Sequence, residues 1–131
     1  MRELRIRSER RTELIEITQV VAAAVEGEDG SAVLVYVPHT TAGVTINERA
    51  DPAVARDFER ALERMVGDGW GWQHVEAGEE NAPSHIRAAL MGPQVLVPLE
   101  ARRLALGTWQ GIFLCECDGP RERRVLLTVL S

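Results

Sequence analysis

Stretches with a two-residue apolar period and stretches with a helical period follow one another along this chain without the regular alternation of a parallel α/β sheet. Leu4 and Ile6 alternate with charged residues and predict an opening strand, and Thr12 to Ile17 predicts a second, less regular one. Thr18 is placed to cap a short helix through Val25, closed by Gly27. Ser31 to Val37 is an apolar run between turn residues. It predicts a buried strand that Pro38 ends, because proline has no N–H for a ladder. Val44 to Glu48 alternates again.

Asp51-Pro52 combines a capping acceptor with a first-turn proline, and Val54, Phe58, Ala61, Leu62 and Met65 then recur at helical spacing as far as Gly67 and Gly69. Residues 67–80 carry four glycines and no period, which predicts a functional or mobile loop. Asn81 is expected to cap a third helix through Met91, with Pro83 in its first turn and Gly92 after its end. Val95 to Val97 reads as a strand ended by Pro98. Thr108 to Glu116 and Arg123 to Leu130 read as two more, joined by the turn Asp118-Gly119-Pro120 and expected to pair antiparallel. The expectation is a single α+β domain over residues 1–131.

The net charge of −5 disfavours nucleic-acid binding, and no apolar run approaches the ~20 residues that cross a bilayer. Neither nucleic acid nor membrane is expected as a partner. The N-terminal segment lacks the apolar stretch of a signal peptide, so a cytoplasmic location is expected. Cys115 and Cys117 lie two apart on one strand face, poorly placed to bridge each other, and read as small buried thiols. No Walker loop, GxGxxG or GxSxG is present, which removes the usual support for P-loop kinases, dinucleotide oxidoreductases and serine hydrolases.

All three histidines, His39, His74 and His85, fall where core-building residues give way to polar ones. Histidine is the commonest metal ligand, and three imidazoles make a known catalytic zinc set. The alternative for each is a hydrogen bond to a backbone carbonyl in a partly buried junction. Thr40 and Thr41 offer hydroxyls beside His39, and Asn47 and Glu48 end the next strand. Alternation puts Ile112, Leu114 and Glu116 on one face. If that face is the core, Glu116 is either a carboxylate with a chemical task or half of an ion pair with Arg121 or Arg123. Trp109 is expected in the core, the alternative being a strand edge that lines a pocket, and Asp118-Gly119-Pro120-Arg121 reads more readily as a tight turn than as an anion site. Trp70 and Trp72 suggest a lid, a subunit contact or a pin for their loop.

Several blocks in one order resemble the YjbQ family of secondary thiamine-phosphate synthases. They are His39-Thr40-Thr41-Ala42-Gly43-Val44-Thr45-Ile46-Asn47-Glu48, then His74, Gly78, Asn81-Ala82 and His85-Ile86. Gly92, Val97-Pro98, Leu106-Gly107-Thr108-Trp109-Gln110 and Glu116-Cys117-Asp118-Gly119-Pro120-Arg121 follow. The resemblance implies a β-sandwich or barrel-like, jelly-roll-like core with two or three helices outside, and a homotrimer. It implies a pocket with His39, Glu48, His74, His85 and Glu116 as catalytic residues. Thr40, Thr41, Asn47, Asn81, Thr108, Gln110 and Arg121 would bind substrate. A divalent metal, zinc or magnesium, would sit on His39, His74 and His85, or the histidines would hold a small phosphorylated molecule or another anion. The implied reaction joins a pyrimidine methyl diphosphate to a thiazole phosphate and releases pyrophosphate. The alternatives are a metal-dependent hydrolase on the same histidines and a non-catalytic trimeric binding protein. Two departures stand out. Glu100-Ala101-Arg102-Arg103 replaces a glycine-containing turn, and the family has no fixed thiol where Cys115 and Cys117 flank the glutamate, so neither cysteine is given a role.

Overall fold

A computed structural model describes residues 1–75 and 81–131. Its elements in chain order are β1 (Arg2–Arg7), β2 (Glu13–Glu16), α1 (Thr18–Ala24), β3 (Ala32–Tyr36), β4 (Ala42–Glu48) and α2 (Pro52–Met65). There follow α3 (Ala82–Met91), β5 (Gln94–Glu100), β6 (Arg103–Leu104), β7 (Gln110–Glu116) and β8 (Glu122–Leu130).

The strands form two antiparallel sheets, one in the order β1-β8-β3-β5-β6 and one in the order β2-β7-β4. Val33, Val35, Val97, Val125 and Leu127 of the larger sheet meet Val44, Ile112 and Leu114 of the smaller one in a single core. Ile17, Val21 and Val25 on and beside α1 complete it. The outer face of the smaller sheet is covered too. Leu14, Phe113 and Cys115 pack there with Leu62 and Phe58 of α2 and Met91 of α3. Buried on both faces, β7 has no polar alternation, as a strand with two covered faces requires. The larger sheet keeps a solvated face, and β8 alternates accordingly. The α+β class is the one the residue pattern predicts, and the sandwich with helices outside is the one the family resemblance implies.

Asp51 caps α2 by accepting the Ala53 N–H at 2.9 Å, as its sequence position demands. Glu59 fastens the same helix to β2, accepting the Leu14 N–H at 2.8 Å and two donors of Arg10. The other two expected caps are different. Ile17, not Thr18, occupies the cap position of α1, and the Thr18 hydroxyl instead accepts the Ile112 N–H of β7 at 2.9 Å. Asn81 precedes α3, but its side chain turns away to donate to Asp118.

Three strand expectations are also corrected. β5 continues through Pro98 to Glu100, because the neighbouring Leu99 N–H is the one that faces β3 and bonds the Ser31 carbonyl. The proline nitrogen therefore faces the other edge, where β6 begins to pair only at Leu99. Trp109 is 64% exposed: the strand starts at Gln110, so the buried alternation of β7 never reaches the indole. Finally, β7 and β8 are not a hairpin. They lie in different sheets, and the segment around Asp118-Gly119-Pro120 carries the chain from one sheet to the other.

Two further crossings run beside that one. Ser8 to Thr12 links β1 to β2 and Val37 to Thr41 links β3 to β4, and hydrogen bonds stitch the three together. The Ser8 N–H donates to the Arg121 carbonyl at 2.8 Å, Gly119 N–H to Arg11 at 3.1 Å, and Cys117 N–H to Thr41 at 3.1 Å. The polar residues that the sequence singles out gather around this end.

Candidate functional site

The inner part of this end is closed. Glu116 continues the inward face of Ile112 and Leu114 and is fully buried. Its carboxylate accepts from Ser8 Oγ at 2.6 Å, from the Asp118 N–H at 3.0 Å and from Arg123 Nε at 2.8 Å, with a second bond from Arg123 Nη2. Arg123 Nη2 also reaches the hydroxyl and carbonyl of Thr41 at 2.9 and 3.1 Å. Burial pushes the Glu116 carboxyl up, but Arg123, Ser8 and the Asp118 N–H outweigh it and hold the group below the ordinary carboxylate range. Of the two readings left open for Glu116, the ion pair with Arg123 describes its surroundings. Its oxygens face the protein rather than a cleft.

His39 lies above this cluster, half-buried on the β3–β4 crossing. Its Nε2 accepts the Arg124 N–H of β8 at 2.9 Å, so it receives a backbone proton rather than donating one. Desolvation first, and the nearby Arg123 second, lower its proton affinity.

The outer part is an open cleft of about 620 Å³ beside the start of α3. Asp118, two residues beyond Glu116, forms one wall. It accepts from Asn81 Nδ2 at 2.7 Å and Arg121 Nη2 at 2.8 Å, and its carbonyl accepts from Arg121 Nε at 2.8 Å. Arg11 and Asp68, paired at 2.9 Å, form another. Trp72 leans in from the glycine-rich loop. Its indole N–H donates to the Gly67 carbonyl at 2.9 Å and its ring stacks on Trp70 at 5.6 Å, so the two tryptophans pin that loop. His74 lines the cleft, and the edge of its ring meets that of His85 on α3, with centroids 5.3 Å apart. α3 is anchored from below by Arg87, almost fully buried, which donates to the Val66 carbonyl at the end of α2 at 2.6 Å.

Thus His74, His85, Asn81 and Arg121 come together, while His39 joins the closed cluster. Among the described residues no three His, Cys, Asp or Glu side chains are placed to hold a metal ion. The zinc set expected from His39, His74 and His85 does not fit this arrangement, because His39 Nε2 is already bonded to β8 and two imidazoles fall short of three protein ligands. Thr41 serves Arg123, and Thr40 is exposed beside it.

The remaining expected residues stand elsewhere for a geometric reason. In the β4–β7 ladder Ala42 faces Glu116, and Glu48 faces Gln110. Six residue steps separate the ends by roughly 20 Å. Asn47 and Glu48 therefore lie at the far end, where Asn47 Oδ1 accepts the Glu48 N–H at 2.8 Å. Gln110 lies there too, holding the Gly107 N–H at 2.8 Å, with Thr108 beside it. One cleft in one chain does not gather both sets. Sequence reasoning missed Arg11 and Asp68, whose pairing joins positions far apart in the chain. It read the Asp118-Gly119-Pro120-Arg121 segment more readily as a tight turn than as an anion site. Gly78 lies outside the described residues.

Fold and site together define a class: a two-sheet antiparallel sandwich with helices over its smaller sheet and a polar cleft where the chain changes sheets. The chain belongs to the family described as UPF0047 protein YjbQ-like, which matches residues 2–131. It is 44% identical to a UPF0047 protein of Archaeoglobus fulgidus over 98% of this chain and 99% of that one. To the UPF0047 protein YugU of Bacillus subtilis it is 40% identical over 100% and 99%. A yjbq/upf0047 family crystal structure from Clostridium acetobutylicum superposes with a TM-score of 0.93 at 39% identity, covering 99% of this chain and 100% of that one. No helix among the described residues is long and apolar enough to cross a membrane.

Proposed function

We propose that the cleft beside α3 binds a small phosphorylated molecule and that the chain is a transferase resembling secondary thiamine-phosphate synthase. One observation carries the reading. Two imidazoles with centroids 5.3 Å apart stand beside a cleft that also holds two guanidiniums, each steadied by a carboxylate. In the proposed reaction the thiazole nitrogen forms a bond to the pyrimidine methylene carbon while the carbon–oxygen bond to diphosphate breaks. The leaving diphosphate gains negative charge. Arg121 and Arg11 take up that charge as preorganised donors, and His74 adds a hydrogen bond to a phosphate oxygen. Asp118 and Asp68 hold the two arginines in place. No step is assigned to a metal held by the protein.

The test supplies both substrates with magnesium and looks for thiamine phosphate. Product is expected, and His74→Ala and Arg121→Gln should each lower kcat/KM by about 10²-fold, the scale of one lost charge-stabilising donor. A folded protein that makes no product removes the assignment. A biological activity that survives His74→Ala would favour a scaffold instead.

We also propose that the chain assembles as a homotrimer in the cytoplasm. Tyr36, Leu96 and Leu130 are exposed on the outer face of the larger sheet, where adjacent strands bring apolar residues together as Leu34↔Leu96 and Tyr36↔Leu126. Light scattering on the eluted protein gives the mass. A monomer at micromolar concentration would remove this proposal.

A further inference from the structure

At the far end of the β4–β7 ladder lies a second cleft, of about 720 Å³, that the reaction proposed above does not use. Arg49, just past β4, and Arg102 and Arg103, at the β5–β6 turn, line it together with Thr18 and Thr108. Leu104 and Leu106 add apolar lining, and Glu26 is the one carboxylate among the lining residues. This charge distribution runs against the chain, which carries 20 acidic and 15 basic residues. Elsewhere the exposed Arg2, Arg5, Arg10, Arg11, Arg121 and Arg124 are each paired with an Asp or Glu within 4.0 Å, while the exposed Arg7, Arg56, Arg60 and Arg64 stand apart from this cleft without such a pair among the described residues. Among the described residues, Arg49, Arg102 and Arg103 have no such partner and no side-chain hydrogen bond.

The turn that presents two of them is not the cheapest one available. Ala101 and Arg102 both adopt left-handed backbone, φ 50° and 63°, in a two-residue hairpin loop. Such loops favour Asn and Gly, because a Cβ crowds the following carbonyl in left-handed backbone. The chain keeps a long cationic side chain at a position where glycine would relieve that strain.

We propose that this cleft is a binding site for a compact phosphate-bearing anion, separate from the cleft beside α3. Guanidinium groups present planar, paired donors that match phosphate oxygens. The overall negative charge of the protein repels long polyanions, so the ligand is a small molecule with one or two phosphates rather than a nucleic acid.

The test is an amide NMR titration of the full chain with inorganic pyrophosphate at 150 mM chloride, repeated on Arg103→Gln, Arg49→Gln and Arg121→Gln. All three arginines are exposed, so dispersed spectra are expected from every variant. Saturable shifts are expected at the Gly107 and Thr108 amides. They should weaken about tenfold in Arg103→Gln and in Arg49→Gln, the cost of one charge-assisted donor, and persist in Arg121→Gln. Shifts confined to the Asn81 and Asp118 amides would support the α3 cleft while overturning this one. Shifts at Gly107 and Thr108 that never saturate, or that ignore both substitutions, would also overturn it. So would a cleft shown to be covered by a second copy of the chain.

Discussion

Glu116 with Arg123, and Asp118 with Arg121, are two carboxylate–guanidinium pairs drawn from the same eight residues of chain. The first pair is 0% and 4% exposed, the second 16% and 53%. The difference is one of position. Residue 116 is the last inward-facing residue of β7, while residue 118 lies on the loop that leaves the sheet. Inside, every oxygen of the carboxylate is used by the fold. Outside, Asp118 holds Asn81 and Arg121 at the wall of a cleft that a ligand can enter. The same chemistry therefore seals the sandwich at one depth and equips a site at the next.

The largest effect expected from breaking this contrast is on stability. Arg123→Met leaves Glu116 buried without its cation and should cost about 3–5 kcal/mol in urea unfolding. Arg121→Gln removes an exposed pair and should cost less than about 1 kcal/mol. Equal losses would erase the distinction between the two pairs.

Gly119 sits between them, where an added Cβ would meet the Arg10 backbone carbonyl, the Ser8 hydroxyl and the Glu116 side chain. Gly119→Ala should cost about 1–3 kcal/mol, because one of those contacts is backbone and cannot swing aside. A melting temperature within a degree of the parent would show that the crossings are looser than described.

Acid sharpens the contrast by titration. His39 and Glu116 both have lowered proton affinity in the folded chain, so the unfolded chain takes up protons more readily. Stability linked to His39 is present above about 6.5 and falls as pH drops through its folded value. That linked to Glu116 is present above about 4.3 and is lost at lower pH still. Glu116→Gln should flatten the lower part of a melting curve series from pH 7 to 3, and His39→Gln the upper part. An unchanged profile in both would sink the assignment.

The smallest effect is chemical. Burial, with the Glu116 charge behind it, pushes the Cys117 thiol up to about 12, and burial raises Cys115 as well. Neither should react with iodoacetamide at pH 8 while the chain is folded, although both should once it is unfolded. Rapid labelling of the native protein would mean that this end opens.

Much of the scaffold is legible in sequence because its causes are local. Asp51-Pro52 starts α2, and Ile112, Leu114 and Glu116 share an inward face by simple alternation. The turn chemistry of Asp118-Gly119-Pro120 is equally legible, but its use is not, since a chain reverses with the same residues whether it stays in its sheet or leaves it. Asn81 and Thr18 carry capping side chains, yet each finds a tertiary partner instead, Asp118 and the Ile112 N–H. Family resemblance names His74, Asn81, Asp118 and Arg121 beside the first cleft and Thr108 beside the second. It does not say that Gln110 and Glu116 stand at opposite ends of one strand's ladder.

What the sequence determines by itself is which residues are apolar, how often they recur and where the chain must turn. Those fix an α+β domain and the inward face of each strand, because burial depends on period and composition, whereas the division of the strands into two sheets is a tertiary outcome. Which polar side chains meet is decided only when three crossings are laid side by side, since hydrogen bonds and ion pairs act over a few ångströms between residues as distant as Ser8 and Arg121. That meeting separates a sealed carboxylate from an accessible one two residues later.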